Sequence, residues 1–216
     1  MTVDITNEMT KKPYHHGDLY HQLIHTAIDM LRRDGEAALS MRKLATELGV
    51  SRMAPYHHFE DKHSLLCAIA EEGFKKFVAT TNANNSAYDF AKSPEAFTQK
   101  NFSLFVKSYV QFAVNNADFY DLMFGGHLWK SNKQTVSLKQ SGHQSFKHYL
   151  DRIRMLKEMG LLNEQLDPLK FAQISWSMLH GMSRLLIDGI YIDDSAIDAM
   201  CDAATGSLWQ LLTQDT

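Results

Sequence analysis

Apolar side chains recur at helical intervals along nearly the whole chain. Leu19, Leu23, Ile24, Ala27, Ile28 and Leu31 form one stripe, with Asp18 placed to cap its start and Asp34-Gly35 to end it. Met41, Leu44, Ala45 and Leu48 give a shorter helix, opened by Ser40 and closed by Gly49, where glycine takes a left-handed C-cap at least cost. Ser51 then caps a brief segment, Arg52 to His58. A longer helix from about Lys62 to residue 82 carries Leu65, Leu66, Ile69, Ala70, Phe74 and Phe77. The composition breaks over Thr80 to Ser93. Beyond it, Pro94 is a first-turn proline for a helix to about Asn116. A short helix, Ala117 to Phe124, ends at Gly125-Gly126, and residues 127–132 read as a loop. A long helix then runs to Gly160, Asp167-Pro168 opens another to about Gly189, and Asp194 caps the last, to about Leu212. The pattern predicts an all-α fold of about nine helices, with no strand alternation and no internal repeat.

A helix, a turn of a few residues containing glycine, and a second helix make a helix-turn-helix, whose second helix normally enters the DNA major groove. Spacing alone is only moderately specific, because many helical proteins share it without touching DNA. Composition adds a constraint. The net charge is -3 and the isoelectric point about 6.4, so DNA contact must rest on a local patch. From Lys11 to Lys62 there are eight Lys or Arg against seven Asp or Glu, so placement must decide. From Asn163 onward the acids far outnumber Lys170 and Arg184, which makes that end a poor DNA surface. No run approaches the ~18 apolar residues of a membrane span. A soluble, cytoplasmic protein is expected, with Cys67 and Cys201 as buried free thiols.

The wording of the motif is more informative than its spacing. Leu44-Ala45, Gly49-Val50-Ser51, Tyr56, His58-Phe59, Lys62 and Leu65-Leu66 resemble the DNA-binding signature of TetR-family transcriptional regulators, over roughly residues 14 to 75. The arm Tyr14-His15-His16-Gly17-Asp18-Leu19 resembles family members too. Pro55 departs from the leucine common before the tyrosine; it removes a backbone donor early in the segment, where the loss is tolerable. Trp176, His180-Gly181 and Gly189 resemble a Trp-His-Gly signature of one branch. The resemblance implies a three-helix DNA-binding domain over 14–62. A linking helix follows from about 62 to 82, then a regulatory and dimerisation domain over 83–216. It also implies a homodimeric repressor on an inverted-repeat operator in double-stranded DNA, released by a small inducer and needing no cofactor.

Residue chemistry sharpens those expectations. Arg52 is the only long cation of the second helix, and arginine is the commonest reader of guanine. Met53 and Ala54 suit a thymine methyl, and Ser51 opens the segment. Tyr56, His57, Lys62, Ser40, Arg42 and Lys43 are expected at phosphates, with Lys11, Lys12 and Tyr14 either in the minor groove or packed and solvated. Phe59 is expected in the core. Phe102, Phe105, Tyr109, Tyr120, Phe124 and Trp176 would line a mainly apolar inducer site oriented by His180 and Arg184, although core packing accounts for most such aromatics. Met178, Met182, Leu186, Ile197, Met200, Ala204 and Leu208 lie on two amphipathic helices suited to a dimer bundle. His21 and His25 have chelating spacing, yet no further ligand is evident, so no metal is assigned. No phosphate loop, nucleophile elbow or paired catalytic carboxylates are present, so an enzyme is not expected. The alternative reading is a helical dimeric interaction module without DNA binding.

Overall fold

The computed structural model describes residues 19–83, 94–129, 133–191 and 197–213. The chain divides into two compact units, one through Lys62 and one from His63.

In the first unit, α1 (Leu19–Asp34) buries Leu19, Leu23, Ile24, Ala27, Ile28, Met30 and Leu31. A 3-10 turn, Glu36–Ala38, leads to α2 (Met41–Glu47). The Ser40 hydroxyl caps α2, accepting the Lys43 N–H at 3.2 Å. Met41, Leu44 and Ala45 face inward. At its end, the Gly49 N–H donates to Thr46 O at 3.1 Å and the Val50 N–H to Ala45 O at 3.0 Å. These two bonds need a left-handed residue between them, and Gly49 supplies φ 65°.

The next segment departs from expectation. Arg52 to His58 is not an α-helix; a 3-10 helix, Ala54–His57, stands there. The Ala54 N–H reaches Ser51 O at 3.0 Å and the Tyr56 N–H reaches Met53 O at 3.0 Å, both three residues back. Pro55 has no N–H to start the four-back ladder, which first forms from Phe59 N–H to Pro55 O at 3.0 Å.

The second unit holds α3 (Lys62–Ala83, all but its first residue), a 3-10 turn (Pro94–Ala96), α4 (Gln99–Asn115), α5 (Ala117–Phe124), α6 (Gly126–Trp129), α7 (Val136–Glu158), α8 (Pro168–Ile187) and α9 (Ile197–Thr213). The helix expected from Pro94 starts at Gln99 instead. Thr98 is extended and its hydroxyl accepts the Asn101 N–H at 3.2 Å, while Ala96 O takes the Asn101 amide at 2.7 Å. The loop expected over 127–132 begins as α6, held by Trp129 Nε1–H on Met123 O at 2.6 Å. Asp167 caps α8 as expected, accepting from Leu169 and Lys170 N–H at 2.9 and 3.2 Å, and those bonds hold its carboxyl below the usual range. Asp194 lies outside the described residues.

Helix α4 is central, packing on both α8 and α9, while α7 packs on α8. Phe102, Phe105, Val106, Tyr109, Val110, Phe112 and Ala113 of α4 are buried. Each large apolar side chain so buried contributes on the order of 1.5–3 kcal/mol before entropy is counted. Cys67 and Cys201 are buried and not joined in a disulfide, and burial pushes the Cys201 thiol up to about 11. Among the described residues, no helix is long and apolar enough to cross a membrane.

The left-handed turn gives a direct test. Gly49→Ala meets open space but an unfavourable φ. It should lower stability by about 1–2 kcal/mol, read as a shifted denaturant midpoint with unchanged slope. An unchanged midpoint would show that the turn tolerates an L side chain.

Candidate nucleic-acid interface and effector core

The turn at Gly49 delivers a short exposed surface. Ser51, Arg52, Met53, Tyr56, His57 and His58 are exposed, Met53 by 61% and Tyr56 by 45%, whereas Ala54 is half-buried and Pro55 buried. An exposed methionine side chain beside an arginine is costly in water and useful at a base edge. Beneath it, Phe59 is buried and stacks on Tyr20 at 5.3 Å, with His58 edge-on to Tyr20 at 6.1 Å. A hollow of about 690 Å3 opens beside the segment, walled by Leu19, Val50, Ser51 and His57 among others.

Placement resolves the weak charge count. Over residues 19–62, Arg32, Arg33, Arg42, Lys43, Arg52 and Lys62 face Asp29, Asp34, Glu36, Glu47, Glu60 and Asp61, six against six. Arg33 pairs with Glu47 at 2.8 Å and Asp34 at 2.9 Å, and its hydrogen bonds hold both carboxyls below their usual range. Glu47 is the only acid from Ser40 to Arg52, and this pairing masks it among Arg42, Lys43 and Arg52. Arg42 and Lys43 are exposed on α2. Ser40 is half-buried at the cap, and Lys62 is half-buried with Nζ donating to Glu36 O at 2.6 Å. Lys11, Lys12 and Tyr14 lie outside the described residues. His21 and His25 are both exposed, and among the described residues no group of three or more metal-ligating side chains comes together.

The aromatic residues expected around an inducer separate into three groups. Phe102 and Phe105 line a cavity of about 30 Å3 with Phe97, Tyr149 and Arg152, room for little more than one water. Tyr109 and Tyr120, both buried, and the half-buried His180 form a chain. The two hydroxyls lie 3.2 Å apart, and Tyr120 Oη is 2.7 Å from His180 Nδ1. With His180 neutral, Tyr109 O–H donates to Tyr120 and Tyr120 O–H to His180, so both phenol hydrogens are used. Burial pushes Tyr120 up to about 12, raises Tyr109 well above its ordinary value, and lowers His180, which the Arg184 charge lowers further. Phe124 rests on Tyr120 at 4.7 Å and on His180 at 4.9 Å. Trp176 packs on Tyr109 at 5.5 Å. Arg184 forms ion pairs with Asp121 and Asp188, one helical turn away, and Asp188 is held below its usual range by that bond. Neither aspartate stood out in the sequence, because the Asp121 contact joins residues 63 apart.

On α8 and α9, Leu186, Ala204 and Leu208 are buried within the chain's own core, at 8%, 7% and 0% exposure. Met178, Met182, Ile197 and Met200 are half-buried. Exposed large apolar side chains on or just beyond these helices include Leu169, Ile174 and Leu211, at 41%, 58% and 55%, and Ile190 and Tyr191 after α8. Gly181 has open space around it.

Comparison with known proteins agrees with this geometry. Residues 23–69 match the family of bacterial regulatory proteins, tetR family, and residues 102–208 match the tetracyclin repressor-like C-terminal domain. Over 49 residues the chain is 47% identical to the tetracycline repressor protein class A from transposon 1721 of Escherichia coli, a stretch that is 23% of each chain. The match thus spans about a quarter of the length of that curated relative. A protein with unknown function from Rhodococcus sp. RHA1 is 28% identical, covering 94% of this chain and 100% of that one, with a TM-score of 0.80. A putative TetR-family transcriptional regulator from Mesorhizobium loti shares the fold at 13% identity and a TM-score of 0.70, over 94% and 100% of the two chains. With one match on the helix-turn-helix and another on the C-terminal helices, the chain belongs to the TetR family of DNA-binding transcriptional regulators.

Proposed function

We propose that this regulator is a homodimeric repressor that holds an inverted-repeat operator through two copies of the Ser51–Lys62 surface. The observation that carries the reading is the exposed run Arg52, Met53, Tyr56 and His57 beyond the Gly49 turn, flanked by Arg42 and Lys43. Arg52 reads a guanine, and Met53 meets a thymine methyl. Tyr56, His57, Arg42 and Lys43 bind phosphate, and Lys62, Ser40, Lys11, Lys12 and Tyr14 support it. The dimer forms through the outward face of α8 and α9. Ile174, Met178 and Met182 supply apolar contact and Gly181 permits close approach, with Ile197 and Met200 alongside. Trp176 and His180, one turn apart on α8, support kinship with the Trp-His-Gly branch.

Release comes from a small, mainly apolar inducer that prefers one state of the C-terminal unit over the other. The Tyr109–Tyr120–His180 chain is the polar element most sensitive to such a change, because displacement of His180 leaves the Tyr120 phenol hydrogen without its acceptor.

Four outcomes test these points. Selection of the protein against random DNA at near-physiological salt should enrich an inverted repeat. Arg52→Ala should then relax one position in each half-site, costing about 1–3 kcal/mol there. Lys43→Ala should weaken all sequences alike and flatten the salt slope by about 1 per half-site. No enrichment by a folded dimer would favour an interaction module without DNA binding. For His180, the lowered folded value means its stabilising contribution is complete above about pH 6.5. It is lost as the pH falls through the folded value, because the unfolded chain binds the proton more readily. His180→Phe should be less stable than the parent at pH 7.5 yet lose less melting temperature between pH 7.5 and 5. Equal pH slopes would remove His180 from the account.

A further inference from the structure

Helices α3 and α7 are fastened at both ends and open between. Near the start of α7, the Glu71 carboxylate accepts the Thr135 hydroxyl at 2.9 Å and the Ser137 hydroxyl at 2.7 Å. Toward the end of α3, Asn82 Oδ1 lies 2.9 Å from His148 Nε2 and 3.5 Å from Arg152 Nη1. Between these fastenings lies a groove of about 430 Å3. Phe74, Val78 and Ala79 form its apolar wall on α3, facing Ser141, Gln144 and His148 of α7, with Lys75 at the rim. The volume falls in the range of small-molecule sites, and the mixture of an apolar wall with few polar groups is what such sites use.

The chemistry at the Asn82 end identifies the occupant. Two donors from α7, one imidazole and one guanidinium, converge on a single oxygen. His148 lines the groove at this end and Arg152 lies one turn further along α7; burial lowers the His148 value, the Arg152 charge lowers it further, and Asp151 opposes both. Of the nearby acids, Glu72 pairs with Lys75 at 3.4 Å, and Asp151 pairs with Lys147 and Arg154 while its charge still reaches His148. A carboxylate suits this donor pair better than an amide oxygen, since charge-assisted bonds to guanidinium are shorter and stronger.

We infer that the α3–α7 groove binds small apolar carboxylic acids, the chain against Phe74, Val78 and Ala79, and the carboxylate on His148 and Arg152 in place of Asn82 Oδ1. The binding claim stands on this geometry alone; its use as the inducer site rests on the repressor reading above. The groove also adjoins the polar chain through aromatic contacts. Phe74 meets Phe124 edge-on at 5.4 Å, and Phe124 rests on both Tyr120 and His180. An occupant that moves Phe74 therefore presses on the Tyr120–His180 bond.

The test is calorimetric titration of the full chain, without DNA, using decanoate as the probe, whose chain of about ten carbons suits a cleft of this size. Decanoate should bind, and 1-decanol should bind about tenfold or more weakly for want of the charge. Ala79→Trp fills the groove from an exposed position and should abolish binding. Asn82→Asp places a carboxylate of the protein's own on the same donors and should weaken decanoate at least about tenfold. Circular dichroism melts establish that each variant is folded; should Ala79→Trp not fold, Asn82→Asp and the decanol comparison decide. Absence of decanoate binding overturns the proposal. So does equal affinity for decanol, or undiminished affinity in folded Ala79→Trp or Asn82→Asp. Because no DNA is present, failure here leaves the repressor reading standing, and failure to bind an operator leaves this one standing.

Discussion

One half-buried indole joins four helices of the C-terminal unit. Around Trp176 of α8 lie Phe77 of α3 at 5.6 Å, Tyr109 of α4 at 5.5 Å, and Phe146 and Tyr149 of α7 at 5.7 and 5.8 Å. Edge-to-face contacts of this kind contribute about 0.5–1.5 kcal/mol each beyond the area they bury. Their geometric consequence matters more than their sum. Rings interlocked at close spacing cannot slide continuously, so a helix that moves must carry its neighbours or break the packing. A ligand that wedges α3 from α7 acts on that same cluster.

Two sets of buried or half-buried polar groups in this unit are internally paired. Tyr109, Tyr120 and His180 satisfy one another, and Tyr149 O–H meets the Ser175 hydroxyl at 2.8 Å. In a low-dielectric interior such a chain stabilises one arrangement of donors, and displacing one member leaves the others unsatisfied. The chain therefore constrains the unit in a different way from the aromatic packing, through hydrogen-bond pairing and protonation instead of volume.

The DNA-binding unit follows the opposite rule. Its core is a compact set of aliphatic side chains from α1 and α2 with Phe59, and its functional groups stand outward on four residues of 3-10 helix and the turns beside it. Short backbone span makes the position of Arg52 depend on two local facts, the left-handed Gly49 and the missing donor of Pro55. Charge is handled locally as well. The chain is acidic in total, yet Glu47, which would oppose a phosphate, is bound by Arg33. Local masking of an acid achieves what a global basic excess achieves in other DNA-binding proteins.

Local rules carried far in this chain. Helical periodicity marked α1, α2, α3, α7, α8 and α9, and the caps at Ser40, Gly49, Gly160 and Asp167 stand where side-chain and backbone chemistry requires them, because capping is decided within a few residues. The wording around Gly49 was enough to identify the family. The 3-10 form of the Arg52–His58 segment was half legible, since Pro55 announced the missing donor but not the geometry that replaces it. The late start of α4 was hidden, because a first-turn Pro94 and a capping Thr98 both mark a helix start and the sequence does not rank them. Tertiary structure alone decided which stripe positions face inward: Leu186, Ala204 and Leu208 share helical faces with residues that stay partly open. It alone joined Arg184 to Asp121, Glu71 to Thr135 and Asn82 to His148, contacts more than 60 residues apart in each case. Such pairings depend on how helices pack, and helix packing is set by the sum of many side-chain shapes that no short window of sequence contains.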